Sequence, residues 1–442
     1  MDPLVYWIWL ALRCGAGSES GSLLLSAFDS PRAIYEANEK ALRQVKGLDE
    51  NRFRALSDHS LEKEKMILAY CNHVGVGILT PDHAAYPARL RDIYAKPLVL
   101  YYLGTLPDFD DRLLISCVGT RKCSQNGRAN AFRLGYDLAA AGAVVVSGMA
   151  KGVDTAAHCG AISAGGHTVA VLGCGIDHVY PPENKELMRE ITKHGTVLTE
   201  FAPGCAPTGK NFPIRNRIIS GLSQATTVIE ADPRSGSLIT ARRAIQQGRD
   251  IFAYPGNASD NLSMGTNTLI RDGATLTTSA FDILQEYELL YPHKIFSERI
   301  AGYASHRERA LDAFLRGLQI PVAAESSRRK KQHTDEKCMA EETPKKAPVK
   351  KQDASRTQTK NVSDTQNACM DPEVKGLSDK ERTVISLLDR EISCEELAVL
   401  YAKQTGKYAD ISELLSILTM LEMEGYIEAL PGGLFHSCLS AM

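Results

Sequence analysis

Six short runs of apolar and β-branched residues alternate with helical stretches through the middle of the chain, and this alternation limits the possible folds most strongly. Runs this short and this continuously apolar are typical of central strands in a parallel sheet that helices cover on both faces. The predicted strands span residues 113–119, 143–148, 168–173, 196–201, 226–231 and 250–256. The pattern predicts an α/β fold with a Rossmann-like, doubly wound and mostly parallel sheet between residues 76 and 292.

The segments on either side of this block predict further domains within the 442 residues. Residues 1–75 have helical character with Gly-containing turns, and they could form helix-hairpin-helix elements or a small packing domain. Residues 374–442 predict three helices and a hairpin with Gly432-Gly433 at its turn. That order of elements indicates a winged-helix domain.

Residues 293–373 predict a helical extension followed by a basic linker. Between residues 326 and 360, eleven Lys and Arg residues stand against five Asp and Glu residues, a net charge of +6. A charged segment with so few large apolar residues is expected to be disordered. It could serve as a solubilising tether or as a loose contact for nucleic acid, and both interpretations stay open.

Composition excludes several classes of protein. The formal net charge of −2 argues against a general polyanion binder, so any site for a polyanion must be local. The eleven cysteines include no CxxC pair, which favours a reducing, cytoplasmic compartment. The apolar run after Asp2 lacks a basic segment before it, so we expect a core helix rather than a signal peptide, and no run is long enough to span a bilayer. Neither a G-x-G-x-x-G loop after the first strand nor a Walker A lysine is present, and we predict no cofactor and no metal.

The residues that follow the predicted strands are suited to phosphate groups. Ligands of doubly wound sheets bind beyond the carboxyl ends of the strands, where glycines allow close approach and helix N-termini, hydroxyls and cations supply donors. The candidate residues are Gly119, Thr120, Arg121, Ser147, Gly148, Lys151, Lys210, Phe212, Asn216, Arg217, Ser235, Gly236 and Ser237. They predict a row of phosphate positions rather than one pocket. Phe212 could stack on a base or act as a hydrophobic staple.

One helix raises a question about buried charge. In "KNFPIRNRIISGLS", residues 210–223, a helix opened by Pro213 would place Arg215 inside its apolar face. A buried arginine needs a carboxylate, so we expect Arg215 to pair with Glu200 or Glu230. Lys210, Asn216 and Arg217 would then face a ligand.

Acid–base catalysis is the competing use of these acids. Asp154 and His158 lie four residues apart on one predicted helix, and Glu200 and Glu230 end neighbouring strands. Helix bracing and ion pairing account for them more simply, so we predict no catalytic residue.

Several spaced motifs in the predicted sheet resemble those of the DNA-processing protein A family, also called DprA or Smf. They are "VGTRKCSQNG", "SGMAKGVDTAAH", "FPIRNRIISGLS", "SGSLITARRA" and "PGN…SMGTNTLI". The resemblance implies a cytoplasmic, homodimeric protein that binds single-stranded DNA through the Rossmann-like domain without catalytic turnover. It further implies protection of incoming DNA during natural transformation and help in loading a RecA-type recombinase.

The same resemblance assigns roles to individual residues. It makes Arg121 the phosphate-binding arginine after the first strand and places Ser147 and Gly148 in a loop that contacts the DNA backbone. Lys210 and Phe212 fall near the lysine and the aromatic residue that grip the strand, and Arg217 belongs to the same basic surface. The first and last blocks of the chain resemble the family's accessory sterile-alpha-motif-like and winged-helix domains.

Two alternative functions remain. The "DPRSGSLITA" loop distantly resembles lysine-decarboxylase-like phosphoribohydrolases, which cleave nucleoside monophosphates, although it lacks their double glycine. A winged helix would also suit a transcription factor. However, its third predicted helix, "DISELLSILTMLEMEGYI", carries no Lys or Arg and is therefore expected to pack rather than to read DNA.

Overall fold

The computed structural model describes residues 2–317, 379–388, 392–405, 414, 417–418, 421, 427–430 and 434–437. The chain forms two compact units, residues 1–343 and residues 344–442. The predicted α/β architecture is confirmed in the first unit. The basic linker between residues 326 and 360, predicted to be disordered, lies outside the described residues.

A nine-stranded sheet forms the centre of the first unit. Its strands are β1 Gly77–Leu79, β2 Leu100–Gly104, β3 Leu114–Val118, β4 Val144–Ser147, β5 Thr168–Val171, β6 Thr196–Thr199, β7 Ala225–Val228, β8 Asp250–Ala253 and β9 Thr275–Leu276. The strand order is β1-β2-β6-β5-β4-β3-β7-β8-β9. All six predicted strands are present as β3 to β8, and they pair in parallel.

Three strands at the edges were not predicted. Strand β2 pairs antiparallel with both β1 and β6, whereas β9 adds to β8 in parallel. Strands β1 and β9 have only three and two residues, and both residues of β9 are exposed. Such short edge strands lack the continuous apolar run that marks a central strand.

Fifteen helices surround the sheet in the described part of this unit. They are α1 Pro3–Cys14, α2 Ser20–Ala27, α3 Pro31–Glu36, α4 Glu39–Leu42, α5 Glu50–Leu56, α6 Glu62–Val74, α7 Ala88–Arg91, α8 Gln125–Ala140, α9 Val153–Ser163, α10 Lys185–His194, α11 Asn211–Leu222, α12 Gly236–Gln246, α13 Asn261–Arg271, α14 Ala280–Leu284 and α15 Arg299–Leu315, with a 3-10 turn at Pro182–Asn184.

Alternate residues of each central strand enter two separate apolar cores. Ile115 and Cys117 of β3 belong to the cluster that contains the buried faces of α8 and α9. Leu114 and Val118 belong to the cluster that contains α11 and α12. Because successive strand side chains point to opposite faces, a continuous apolar run is required when helices cover both faces.

The predicted N-terminal helices form, but they belong to the same compact unit as the sheet. Buried residues of α1, including Trp7 and Trp9, share one apolar cluster with Tyr101 of β2. The indole Nε1 of Trp7 also donates to Asp82 Oδ2 at 3.2 Å. The predicted boundary at residue 75 therefore does not separate two compact units, because apolar surface on both sides of it is buried together.

The second unit contains α16 Asp379–Leu387, β10 Ile392–Ser393, α17 Cys394–Thr405, β11 Ile427–Leu430 and β12 Leu434–Ser437. Its three strands form an antiparallel sheet in the order β10-β12-β11. The first two predicted helices and both hairpin strands are thus present. Leu414, Leu418 and Leu421 of the third predicted helix are buried in one apolar cluster with these elements. The rest of that helix and the Gly432-Gly433 turn lie outside the described residues.

A buried ion pair joins β6 to α11, and it does not involve the arginine that we expected. Arg217 Nη2 donates to both carboxylate oxygens of Glu200, at 2.7 and 2.6 Å, and both side chains are only 7% exposed. The prediction that Arg217 faces a ligand is therefore wrong. The turn between α1 and α2 covers this side of the helix, and the Gly17 amide donates to the same carboxylate at 3.4 Å.

Helices α8 and α9 cross closely at two glycines. A Cβ atom built on Gly135 would overlap the carbonyl oxygen of Ala157, and one built on Gly160 would overlap that of Phe132. Because the obstacles are backbone atoms, a side chain at either position must push the helices apart.

We expect Gly160→Ala to lower the free energy of unfolding by about 1–3 kcal/mol, since the added methyl group separates two packed helices. Gly302→Ala is the matched control, because Gly302 is exposed on α15 with nothing near its Cβ position. That change should be neutral or stabilise by up to about 1 kcal/mol. Urea unfolding of the two variants measures both values, and an unchanged midpoint for Gly160→Ala would contradict the close crossing.

We expect Glu200→Met to destabilise the protein by about 3–5 kcal/mol, because it leaves the Arg217 guanidinium buried and unpaired. The double variant Glu200→Met/Arg217→Met should recover part of this loss, since no charge is then buried. The exposed pair of Lys151 and Glu183 provides the control, and Glu183→Met should change stability by less than about 1 kcal/mol. A thermodynamic cycle from urea unfolding checks this, and additive losses would argue against coupling.

Candidate nucleic-acid interface

The sheet has its topological switch point between β3 and β7. These two strands are paired in parallel although more than a hundred residues separate them, and the connections that follow them lead to opposite sides of the sheet. Connections that diverge in this way leave a cleft at the carboxyl ends of the strands. We call the cleft found there the strand-end cleft.

The strand-end cleft has a volume of about 870 Å³. Three segments form most of its wall: the loop after β3, the first half of α11 and the start of α12. Eight of the thirteen predicted binding residues line it, namely Gly119, Thr120, Arg121, Phe212, Asn216, Ser235, Gly236 and Ser237. The sequence prediction thus placed residues from three distant segments at one site.

An aromatic and cationic cluster stands at one side of the cleft. The Arg121 guanidinium lies over the Phe212 ring, with its Cζ 4.9 Å from the ring centroid. The Tyr180 ring packs against Phe212 at a centroid distance of 5.3 Å. Phe212 lies inside α11, which begins at Asn211 rather than at Pro213, so it is not positioned as a staple before the helix. Arg121 is exposed, and its charge is therefore available to a ligand.

Arg215 is buried, as its position on the apolar face predicts, but its partners differ from the expected carboxylates. Its Nη1 donates to the carbonyl oxygens of Gly148, at 2.7 Å, and Val171. Burial lowers the pKa of Arg215 to about 10, and the nearby carboxylate of Asp154 opposes that shift. The guanidinium is therefore still charged at neutral pH, and it ties α11 to the ends of β4 and β5.

Glu230 holds the loop after β3 instead of pairing with Arg215. Its Oε2 accepts a hydrogen bond from the Ser124 amide at 2.8 Å, and the Ser124 hydroxyl donates to its other oxygen. The Glu230 carbonyl also accepts from the Thr120 amide at 2.8 Å. These bonds fix both ends of the segment that carries Arg121. The expected pairing of Arg215 with Glu200 or Glu230 is thus wrong, because Glu200 accepts from Arg217 and Glu230 accepts from Ser124.

Ser147 and Gly148 do not line the cleft. The Ser147 hydroxyl is buried and donates to the Cys117 carbonyl at 2.6 Å. The Gly148 amide donates to Asp154 Oδ2 at 3.2 Å, and a Cβ at Gly148 would overlap the Arg215 guanidinium. Position 148 requires glycine because the Arg215 guanidinium packs against it. From the sequence alone, this requirement could not be distinguished from close approach of a phosphate to the backbone.

The remaining cations occupy different positions. Lys210 is exposed at the start of α11, next to Gly209, which lines the cleft. Lys151 is exposed away from the lining and forms an ion pair with Glu183 at 2.6 Å. Lys122 and Tyr180 line the cleft although neither was among the predicted binding residues. Their position after β3 and β5 is the signal that could have identified them.

The start of α12 supplies backbone and hydroxyl donors. Ser235 caps the helix, and its hydroxyl lies 2.8 Å from that of Ser237. Gly236 is exposed, with open space where a Cβ would be. Asn216 connects this helix to α11, because its Nδ2 donates to the Gly236 carbonyl at 3.5 Å and its Oδ1 accepts from Arg215 Nε at 3.2 Å. An anion can therefore approach a helix N-terminus here.

The residues considered for acid–base chemistry have structural partners. His158 is fully buried, which lowers its pKa to about 3, and its Nδ1 lies 2.7 Å from the Thr168 hydroxyl. Burial raises the pKa of Asp154, whose carboxylate accepts from the amides of Gly148 and Ala150. Within the described residues, no hydrogen bond joins these two side chains.

Two further features of the described residues are relevant to the class of site. The described residues contain no cluster of three or more His, Cys, Asp or Glu side chains that could hold a metal ion. Nor does any helix among them combine the length and the apolar character that crossing a membrane requires.

Comparisons with known proteins agree with the resemblance noted in the sequence. Residues 77–288 match the sequence profile of the family described as DNA recombination-mediator protein A. DNA processing protein DprA from Streptococcus pneumoniae is 46% identical over 203 residues, which cover 46% of this chain and 71% of that protein. DprA from Bacillus subtilis is 38% identical over 220 residues, covering 50% and 74%.

A solved structure extends the similarity to the fold. The X-ray structure of DprA from Streptococcus pneumoniae superposes with a TM-score of 0.56 at 35% sequence identity, covering 65% of this chain and 99% of that one. The similarity in sequence and the similarity in fold thus both cover the nine-stranded sheet and its helices. The chain belongs to the DNA recombination-mediator protein A family, which includes the proteins named DprA and Smf.

Proposed function

We propose that the protein binds single-stranded DNA along the strand-end cleft, with little dependence on base sequence and without catalytic turnover. The Arg121–Phe212 pair is the observation that carries this proposal. It places a cation over an aromatic ring, with the Arg121 Cζ 4.9 Å from the Phe212 ring centroid, at the edge of a cleft with hydroxyls and glycines. Phosphates and bases are the two groups that such a pair can bind together.

The aromatic side of the cluster favours a single strand over a duplex. A base can stack on an aromatic side chain only when it is free of its neighbours, and every base offers a π face. Phe212 and Tyr180 are both partly exposed beside the cleft. Stacking there would be tolerant of sequence, because it reads no hydrogen-bonding edge.

The donors of the cleft favour the sugar-phosphate backbone. Lys122 and Arg121 line the cleft, and Lys210 is exposed beside it. Ser235 and Gly236, at the N-terminus of α12, also line it. These groups line or adjoin one cleft, so they suit the phosphates of a strand that lies in it. Charge is local here, which agrees with a chain whose formal net charge is only −2.

The family supports the biological setting. The relatives compared above are named as DNA processing proteins. The family whose profile matches residues 77–288 is described as a recombination-mediator protein. We therefore propose a cytoplasmic homodimer that protects incoming DNA during natural transformation and helps to load a RecA-type recombinase. The phosphoribohydrolase alternative is tested by incubating the protein with nucleoside monophosphates, where release of free base would contradict the proposal.

We expect tight binding to an oligothymidine and much weaker binding to a duplex of equal length. Affinity should fall steeply as salt increases, because neutralising phosphates releases counterions from the DNA. Fluorescence anisotropy with a labelled oligonucleotide at several salt concentrations measures both effects. Equal affinity for single strand and duplex, or affinity independent of salt, would overturn the proposal.

We expect Arg121→Ala to weaken oligothymidine binding about tenfold, or about 1.4 kcal/mol, since it removes a phosphate contact. Phe212→Ala should cost about 1–3 kcal/mol of binding free energy through lost stacking. Arg128→Ala is the matched control, because Arg128 lies 4.4 Å over the Phe314 ring, outside the lining of the cleft. The same anisotropy titration compares the three variants, and an equal loss in Arg128→Ala would show that the effect is not local.

A further inference from the structure

A second cavity lies on the other side of α11 from the strand-end cleft. It has a volume of about 430 Å³ and is enclosed by α7, α11, α12 and the turn at Gly17. Four arginines line it, Arg89, Arg217, Arg243 and Arg249, and we call it the arginine cavity. Pro213 lines both cavities, whereas Arg215 lines only the cleft and Arg217 only the arginine cavity.

The arginine cavity contains more positive charge than its acids neutralise. Asp92 is the one acidic residue among its described lining, and Glu200 pairs with Arg217 from outside the lining. Burial lowers the pKa of Arg249, the positive charge of Arg89 lowers it further, and Asp92 opposes this shift only in part. Two like charges are thus held close together around an open space.

The hydrogen bonds of these arginines go largely to neutral acceptors. Arg89 donates to the Phe109 carbonyl at 2.8 Å and to the Tyr291 hydroxyl at 2.9 Å. Arg249 Nη2 donates to the carbonyl oxygens of Arg89 and Gly221, at 3.4 and 3.3 Å. Such bonds orient the guanidinium groups but leave their charge uncompensated.

Several donors of these side chains have no acceptor at all. Within the described residues, Nε and Nη1 of Arg217 and Nε of Arg249 are buried without a hydrogen-bond partner. Arg217 is only 6% exposed, and these three atoms have almost no accessible surface. These buried, unpaired donors add to the positive charge beside the cavity that no acid compensates.

We propose that the arginine cavity binds a phosphate-bearing ligand of mononucleotide size, at a site separate from the strand-end cleft. Guanidinium groups recognise phosphate through paired, charge-assisted hydrogen bonds. The volume of about 430 Å³ falls within the usual range for small-molecule sites, about 300–1,000 Å³. Ile93 and the exposed ring of Tyr94 give the cavity an apolar and aromatic wall that suits a base.

The same chemistry could come from a free nucleotide or from the phosphorylated end of a nucleic-acid strand. Both present one terminal phosphate beside one base, and both fit a cavity of this size. The inference does not depend on DNA binding in the strand-end cleft, because no arginine is shared between the two linings.

The test is isothermal titration of the full chain with thymidine 5′-monophosphate, thymidine and inorganic phosphate. We expect the monophosphate to bind at least about tenfold more tightly than either of the others, a difference of about 1.4 kcal/mol. Arg243→Gln should weaken its binding by a similar factor. Arg243 is exposed on α12, and its guanidinium donates only to Gln246 in the described structure, so this variant should fold normally.

The neighbouring Arg242→Gln is the matched control, since Arg242 is exposed on the same helix but does not line the cavity. It should bind the monophosphate like the unaltered protein. Arg121→Ala separates the two sites: monophosphate binding that is lost in this variant but kept in Arg243→Gln belongs to the strand-end cleft and overturns the proposal. Failure of the monophosphate to bind, or binding no tighter than inorganic phosphate, also overturns it.

Titration with oligothymidines that carry or lack a 5′-phosphate distinguishes the two sources. A gain in affinity from the 5′-phosphate that disappears in Arg243→Gln identifies a strand end as the ligand. Tight binding of the free monophosphate without such a gain identifies a free nucleotide. If Arg243→Gln loses oligothymidine binding regardless of the 5′-phosphate, the cavity is part of the DNA path and the separate site is rejected.

Discussion

The buried guanidinium of Arg215 is the interaction on which the rest of the strand-end cleft depends. It donates to carbonyl oxygens at the ends of β4 and β5, and the buried Asp154 carboxylate lies close enough to favour its charged form. A charge this deep requires fixed acceptors, so the helix that carries it has little freedom to move. Because α11 is fixed in this way, Phe212 meets Arg121 and Asn216 meets the start of α12.

The same helix shows how burial assigns different tasks to similar residues. Arg215 and Arg217 leave α11 on different sides, yet both are buried, one against strand ends and the other against Glu200. The exposed cations, Arg121 and Lys210, stand at the ends of loops or helices, where a charged ligand can reach them. A rigid, buried cation and a solvent-accessible cation thus lie only a few residues apart in the sequence.

Much of the fold could be predicted because its signals are local. A strand covered on both faces carries apolar or β-branched residues at nearly every position, and this pattern identified β3 to β8. The residues after these strands had to gather at one edge of the sheet, which is why Arg121, Phe212 and Ser235 were correctly expected near one another. The short edge strands β1 and β9 carry no comparable pattern, since an exposed or half-covered strand has no need of it.

The sequence by itself therefore determined the class of fold, the edge of the sheet where the candidate binding residues gather, and the burial of Arg215. Only the tertiary structure decided the partners of each charge. Glu200 forms an ion pair with Arg217, and Glu230 accepts a hydrogen bond from Ser124. Arg215 donates to backbone carbonyls, with the Asp154 carboxylate nearby. The physical reason is that side-chain pairing depends on distances of about 3 Å between segments far apart in the chain. The strand order and the N-terminal helices that cover α11 set those distances, and neither can be inferred from the local pattern of residues.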